Sequence, residues 1–146
     1  MKLKMNKISV NKLIGLFVLI LFIGALTAFM IPQTQKKGAK WVIPEKYKKM
    51  TNPYKGNKRD LKLGKMLYSK YCKSCHGSKG LGDGSKALQL KTLPGNFSTA
   101  EFQAYTDGEL YYMTAVGRDE MKGYSKKIPD EENIWAIISY LRTLKK

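Results

Sequence analysis

Residues 69–84 read "SKYCKSCHGSKGLGDG" and hold both cysteines of the chain, Cys72 and Cys75, and its one histidine, His76. Four chemistries compete for such a cluster. A structural zinc site needs four ligands, and this chain offers three cysteine and histidine side chains. A redox dithiol of the thioredoxin kind belongs in a βαβ context, whereas the flanking sequence is helical in period. A disulfide between Cys72 and Cys75 would close a very small loop and stabilise little. Covalent haem attachment uses every residue of the cluster. Thiols three apart on a helical turn point the same way and reach the two vinyl groups on one edge of a porphyrin. The next residue, His76, then brings its imidazole beneath the iron.

Working outward, "DLKLGKMLYSKYC" from Asp60 places Gly64, Leu67, Tyr68 and Tyr71 on one helical face. Glycine there costs about 1 kcal/mol of helix propensity relative to alanine, so its presence implies a second backbone crossing closely. The partner is sought in "PDEENIWAIISYLRTLKK", where Ile134, Ile137, Ile138 and Leu141 repeat the spacing. Pro129, Asp130, Glu131 and Glu132 suit the start of that helix, and Arg142, Lys145 and Lys146 suit its end. A further helix is expected over "DGELYYMTAV", Asp107 to Val116, closed by Gly117. No segment alternates as a strand, so the domain reads all-α. Three short helices and long loops make a small core for about 85 residues, a shortage that a large apolar guest would relieve.

Charge divides the remaining chain. Of 27 Lys and Arg against 11 Asp and Glu, residues 1–12 carry four lysines and no acid, and residues 13–35 carry no charge. Residues 36–60 are net +7 and residues 61–146 net +5. The apolar run "LIGLFVLILFIGALTAFMI", 13–31, has the length of a membrane-crossing helix. The small-x-small pattern of a cleavage site is poor near its end, so an uncleaved anchor is expected, with a cleaved signal peptide as the alternative. Lysines after the run outnumber those before it, and taken alone they favour a cytoplasmic C-terminal domain. Covalent haem attachment outside the cytoplasmic membrane points the other way, and it is the more specific signal. The expected organisation is a cytoplasmic basic N-terminus (1–12), a membrane anchor in the bilayer (13–31), a flexible basic connector (32–57) and a haem domain (58–146) on the periplasmic side. The piece "WVIPEKYKKM" in the connector is open to packing on the domain or on a partner. Trp41, Tyr47 and Tyr54 accompany its lysines without any nucleic-acid-binding module, and no nucleic-acid partner is expected.

From about Asp60 to Leu144 the chain resembles a class I, single-haem bacterial cytochrome c. The resemblance rests on Gly64 and Tyr68 before "CKSCHG", then "GLGDGSKALQL", "LPGNF", "VGRDEMKGYSKKIPDEE" and "IWAIISYLRTL". It implies a small cytochrome c fold of three to four helices around one covalently bound haem c, behind the N-terminal transmembrane helix. The first and last helices would cross at Gly64 and Tyr140. Two positions depart from the family's habit: Lys122 stands where proline often follows the ligand methionine, and Asn96 where aspartate often follows the loop proline.

With His76 used, methionine is the natural sixth ligand. Met113 lies inside a helical pattern, where methionine is more often packing material. Met121 lies in the loop "VGRDEMKGY", free to turn its sulfur to the iron, and the resemblance implies the same position. An exposed loop methionine beside an open iron is the alternative. Pro94 in "LPGNF" resembles the loop proline whose carbonyl accepts the proton of the proximal imidazole, and it also reads as a residue that merely shapes a loop. The function implied is a membrane-tethered one-electron carrier, not an enzyme, serving membrane redox complexes through their acidic faces. Its alternatives are a haem subunit of a larger oxidoreductase or oxidase, and a haem sensor or peroxidase. Lys73, Lys79, Lys86, Lys91, Lys122, Lys126 and Lys127 flank the haem-bearing segments and would steer such partners.

Overall fold

The computed structural model describes residues 35–146 and, in the N-terminal segment, Ile14, Phe17 and Val18, which are helical and exposed. The chain divides into two compact units, Met1–Gln33 and Thr34–Lys146. No helix among the described residues is long and apolar enough to cross a membrane. The expected cytoplasmic N-terminus, and the anchor over 13–31 apart from those three residues, lie outside what is described.

The second unit contains helices α1 (Glu45–Lys48), α2 (Lys58–Tyr71), α3 (Lys73–His76), α4 (Ala100–Gln103), α5 (Asp107–Ala115) and α6 (Glu131–Arg142). A 3-10 turn spans Ala87–Gln89, and strands β1 (Gly117–Arg118) and β2 (Met121–Lys122) form a small antiparallel hairpin. Each long helix starts where its sequence supplies a cap or an acid. Asn57 accepts the amide of Arg59 at the head of α2. Thr106 and Glu109 exchange hydrogen bonds in a capping box at the head of α5. Glu131 and Glu132 occupy the first turn of α6, where the helix dipole favours negative charge.

Helices α2 and α6 make the most extensive packing between elements. They cross where the sequence implied. A Cβ on Gly64 would stand 2.0 Å from the carbonyl oxygen of Ala136 and 3.1 Å from Cβ of Tyr140. The buried face of α6 comprises Ile134, Ile137, Ile138 and Leu141, widened by Trp135 and Ala136. Tyr68, fully buried on α2, packs its ring against Tyr140 and Phe97 and donates its hydroxyl to the Gly77 carbonyl at 2.6 Å. That bond fastens the core to the turn after His76.

Two expectations are corrected. Residues 35–57 are not a flexible connector but part of the folded unit. Ile43 is buried, and Trp41, Tyr47, Met50 and Tyr54 pack against the core. Buried Asn52 donates to Ser139 Oγ at 2.8 Å and the Trp135 carbonyl at 3.3 Å, and its Oδ1 accepts the amide of Tyr54. The exposed lysines of this stretch stay in solvent while its aromatic side chains supply the apolar surface that three helices lack. Secondly, the segment after α5 is a hairpin and not an open loop. Gly117 and Lys122 pair, as do Arg118 and Met121, and Asp119 takes φ 47° in the turn between. Strands of two residues are too short for alternation to betray them.

Candidate haem site

Cys72 ends α2, its amide bonded to the Tyr68 carbonyl at 2.8 Å, and opens α3. Its own carbonyl accepts the amides of Cys75 at 3.2 Å and His76 at 3.0 Å. One tight turn therefore stacks Cys75 and His76 above Cys72. The glycine-bearing loop then closes over the turn. Lys86, Gly84 and Gly82 donate their amides to the carbonyls of Ser74, Cys75 and His76 at 2.8, 3.1 and 3.0 Å. Three successive carbonyls of the motif are thus fixed by one loop. Gly82 is required there: its φ is +82°, and a Cβ would lie 2.4 Å from the Pro94 carbonyl oxygen.

Both thiols are free and half-buried. Burial, and then the neighbouring Cys75, push the Cys72 thiol up to about 12. A thiol so held is poorly set up as a thiolate nucleophile, which weighs against the redox dithiol. Among the described residues no group of three or more His, Cys, Asp and Glu side chains is arranged to hold a metal ion. His76 keeps some solvent contact, yet the surrounding protein mass holds its imidazole below the ordinary value, against a smaller upward pull from Gly95. The ring is neutral at pH 7 and keeps a lone pair to donate. It stacks on Phe97 at 4.4 Å between centroids, and Nδ1 lies 3.5 Å from the Gly95 carbonyl. That carbonyl belongs to the residue after Pro94, the position that the resemblance implies for the acceptor. The Pro94 carbonyl faces Gly82 instead, because Phe97 anchors the end of the loop by donating its amide to the Gly80 carbonyl at 2.7 Å.

Met121 lies on β2, half-buried, opposite Arg118. The other described methionines have different tasks. Met113 is buried within the core on α5, Met50 packs against that core, and Met66 is exposed on α2. Tyr124, three residues after Met121, ties the end of this loop to the cysteine turn. Its hydroxyl donates to the Tyr71 carbonyl at 2.8 Å and its ring meets Tyr71 edge-on. Burial first, then Cys72 and Cys75, raise the Tyr124 hydroxyl. Sequence reasoning passed over Tyr124, Gly95 and Phe97. The signal for Phe97 was its place at the end of "LPGNF", and no periodicity marked the other two.

Two alkylatable thiols, a neutral imidazole and a glycine loop that locks their turn fit a covalently attached porphyrin, and the helical frame around them is that of a c-type cytochrome carrying a single haem. The sequence model for cytochrome c oxidase, cbb3-type, subunit III matches residues 59–141, more than half of the chain. The chain belongs to that family, and its cofactor is covalently bound haem c.

Among solved structures the chain is similar to the reducing HAO-like protein complex Kustc0457/Kustc0458 of Kuenenia stuttgartiensis. That match has 24% identity over 64% of this chain and 47% of that one, with a TM-score of 0.57. It is similar to cytochrome cL of the marine methylotroph Methylophaga aminisulfidivorans, at 20% identity over 80% of this chain and 74% of that one, TM-score 0.53. The KustC0563 c-type cytochrome matches at 32% identity over 57% of this chain and 98% of its own, TM-score 0.46. The chain spans about half the length of the first of these. No curated protein matches it.

Proposed function

We propose that the chain is a membrane-tethered one-electron carrier whose haem is joined through thioethers to Cys72 and Cys75 and held axially by His76 and Met121. When bound, the haem supplies one-electron chemistry between ferric and ferrous iron. The observation that carries the reading is the Cys72–His76 turn, which stacks Cys75 and His76 over Cys72 and is locked by the amides of Gly82, Gly84 and Lys86. Gly95 orients that imidazole from behind, which fixes its ring and strengthens its donation. Met121 is favoured as the sixth ligand because Met113 and Met50 are committed to the core and Met66 points outward. A soft thioether there favours ferrous iron and raises the potential.

The test is the ferric absorption spectrum of the haem-loaded protein. A sulfur-to-iron charge-transfer band is expected, and Met121→Ala should abolish it while the pigment stays resistant to acidified organic solvent. A band that survives Met121→Ala would assign the ligand elsewhere, and extractable pigment would remove the thioethers.

Residues 13–31 are the proposed anchor, with the haem domain on the periplasmic side where covalent haem attachment occurs. Lys73, Lys79, Lys86, Lys91, Lys122, Lys126 and Lys127 are all exposed. Lys73 stands between the thiols and Lys122 follows Met121, so these charges suit a partner with an acidic face. Electron exchange with that partner should slow severalfold between about 0.01 and 0.15 M salt, as screening shortens from roughly 30 to 8 Å. A rate indifferent to ionic strength would discard the steering.

One correction to the fold favours a second reading, a haem subunit of a larger redox complex. With residues 35–57 folded on the domain, three residues of sequence, 32–34, are left before the proposed anchor, a reach of at most about 10 Å whatever their conformation. A domain on so short a lead suits a fixed position in an assembly better than wide excursions. Stoichiometric copurification with a membrane complex would decide for it.

A further inference from the structure

The hairpin that carries Met121 is held by two side chains that the core does not use. Glu120, immediately before Met121, is exposed, yet its carboxylate accepts the amides of both Lys91 and Thr92 at 3.0–3.1 Å. Arg118, the cross-strand partner of Met121, sends its guanidinium to the carbonyls of Lys40, at 3.1 Å, and Ala39. The same group lies over the Trp41 ring, its Cζ 4.0 Å from the centre. The two receiving segments are themselves joined. Lys36 donates its amide to the Lys91 carbonyl at 3.1 Å and accepts the amide of Leu93 at 3.0 Å, a parallel bridge across Thr92.

Hairpin, the 91–93 loop and residues 36–41 thus form a closed triangle of contacts with Met121 at one corner. A carboxylate on two backbone amides and a guanidinium on two carbonyls and an aromatic face are charge-assisted and directional. Such bonds fix the orientation of a hairpin too short to fix itself with its own ladder.

We propose that Arg118 and Glu120 are positioning residues that brace the Met121 hairpin against residues 36–41 and 91–93, and so set how firmly the methionine sulfur stays on the iron. The proposal rests on the reading of Met121 as axial ligand. With Met121 as ligand, an external imidazole would compete with it for ferric iron, and its binding would be limited by how readily the Met121 side chain gives way. Loosening either brace raises the population of hairpins turned away from the iron, and hence the exchange rate, without altering the ligand itself.

The test uses the full-length, haem-loaded protein and measures the rate of imidazole binding to ferric iron by rapid mixing, with the sulfur-to-iron band recorded beside it. Loss of one charge-assisted brace in Glu120→Ala or Arg118→Ala should speed imidazole binding about tenfold. The double variant should exceed either single one, and Glu120→Gln, which keeps one acceptor, should fall between wild type and Glu120→Ala. Thermal melts on the same samples separate a loosened hairpin from a loosened fold: the exchange rate is expected to move more than global stability does. If Glu120→Ala does not yield folded protein, Glu120→Gln carries the test, and a wild-type exchange rate in it overturns the brace. If the band is present in wild type and lost in Met121→Ala, but both single variants bind imidazole within about twofold of wild type, the brace is overturned and the ligand reading stands. If the band is absent in wild type or survives Met121→Ala, it is the ligand reading that fails.

Discussion

Gly64→Ala is expected to destabilise the haem-loaded protein by about 3 kcal/mol or more, a large part of the total stability of a domain of this size. The added methyl would stand 2.0 Å from the Ala136 carbonyl oxygen and 2.6 Å from its carbon, both backbone atoms that no rotamer change can move aside. Relief requires α2 and α6 to part along their whole crossing, opening the contacts of Tyr68, Ile137 and Ile138, each essentially buried. Against this, alanine improves helix propensity by about 1 kcal/mol, too little to compensate. The measurement is the denaturant midpoint of wild type and variant at equal haem loading, with the slope checked for constancy. A midpoint unchanged in the variant would mean that the helices do not approach this closely.

That crossing was legible in the sequence because a helix repeats itself. A glycine on the apolar face of one helix and a matching face on another are visible in a single reading, since each burial recurs every three or four residues. The haem turn was legible for a different reason: its chemistry is confined to Cys72, Cys75 and His76. Residues 35–57 obey neither condition. They make one contact at a time through Trp41, Ile43, Tyr47, Met50 and Asn52, separated by exposed lysines, and nothing repeats. Asn52 bonds to partners 83 and 87 residues away, and no local pattern announces such a meeting. The approach of the Gly95 carbonyl to His76 is hidden for the same reason. Which carbonyl of a loop faces an imidazole depends on how Phe97 and Gly80 close it, a distance and not a motif.

The charge pattern was read correctly as solvent-facing and wrongly as mobile. Lys36, Lys37, Lys40, Lys46, Lys48 and Lys49 are all exposed, as a spacer would have them. Yet Lys36 pairs through its backbone with the 91–93 loop, and the Lys40 carbonyl receives Arg118. Side-chain polarity reports where a side chain points and says little about what its backbone is bonded to. Nothing in "VGRDEMKGY" marks Arg118 and Glu120 for the same reason: their partners are backbone groups, which every sequence possesses.

Arg142→Ala is expected to cost about 2–3 kcal/mol, lowering the melting temperature by roughly 10 °C. From the last turn of α6 the guanidinium reaches Asp107 Oδ1 through Nε at 2.8 Å and Nη2 at 2.7 Å. It also reaches the Gln103 carbonyl at 3.0 Å and the Tyr105 carbonyl at 2.5 Å. One side chain therefore satisfies the C-terminal end of α4, the link that follows, and the first turn of α5. Removing it strands two carbonyls and a carboxylate that are largely shielded from water. The side chains of the pair keep 27% and 17% of their surface in solvent, so the cost stays below the 3–5 kcal/mol or so of breaking a fully buried ion pair. Arg142→Lys should recover only part of the loss, because an ammonium cannot span carboxylate and carbonyls as a planar fork does. The sulfur-to-iron band should be unchanged in both variants, since Arg142 contacts neither the Met121 hairpin nor the cysteine turn. A melting temperature within a degree or two of wild type in Arg142→Ala would show that water replaces these bonds at little cost, and that the packing of Phe102 on Phe97 and of Tyr111 on Trp135, with the Gln103 side-chain amide on the Leu141 carbonyl, suffices to hold α4 and α5.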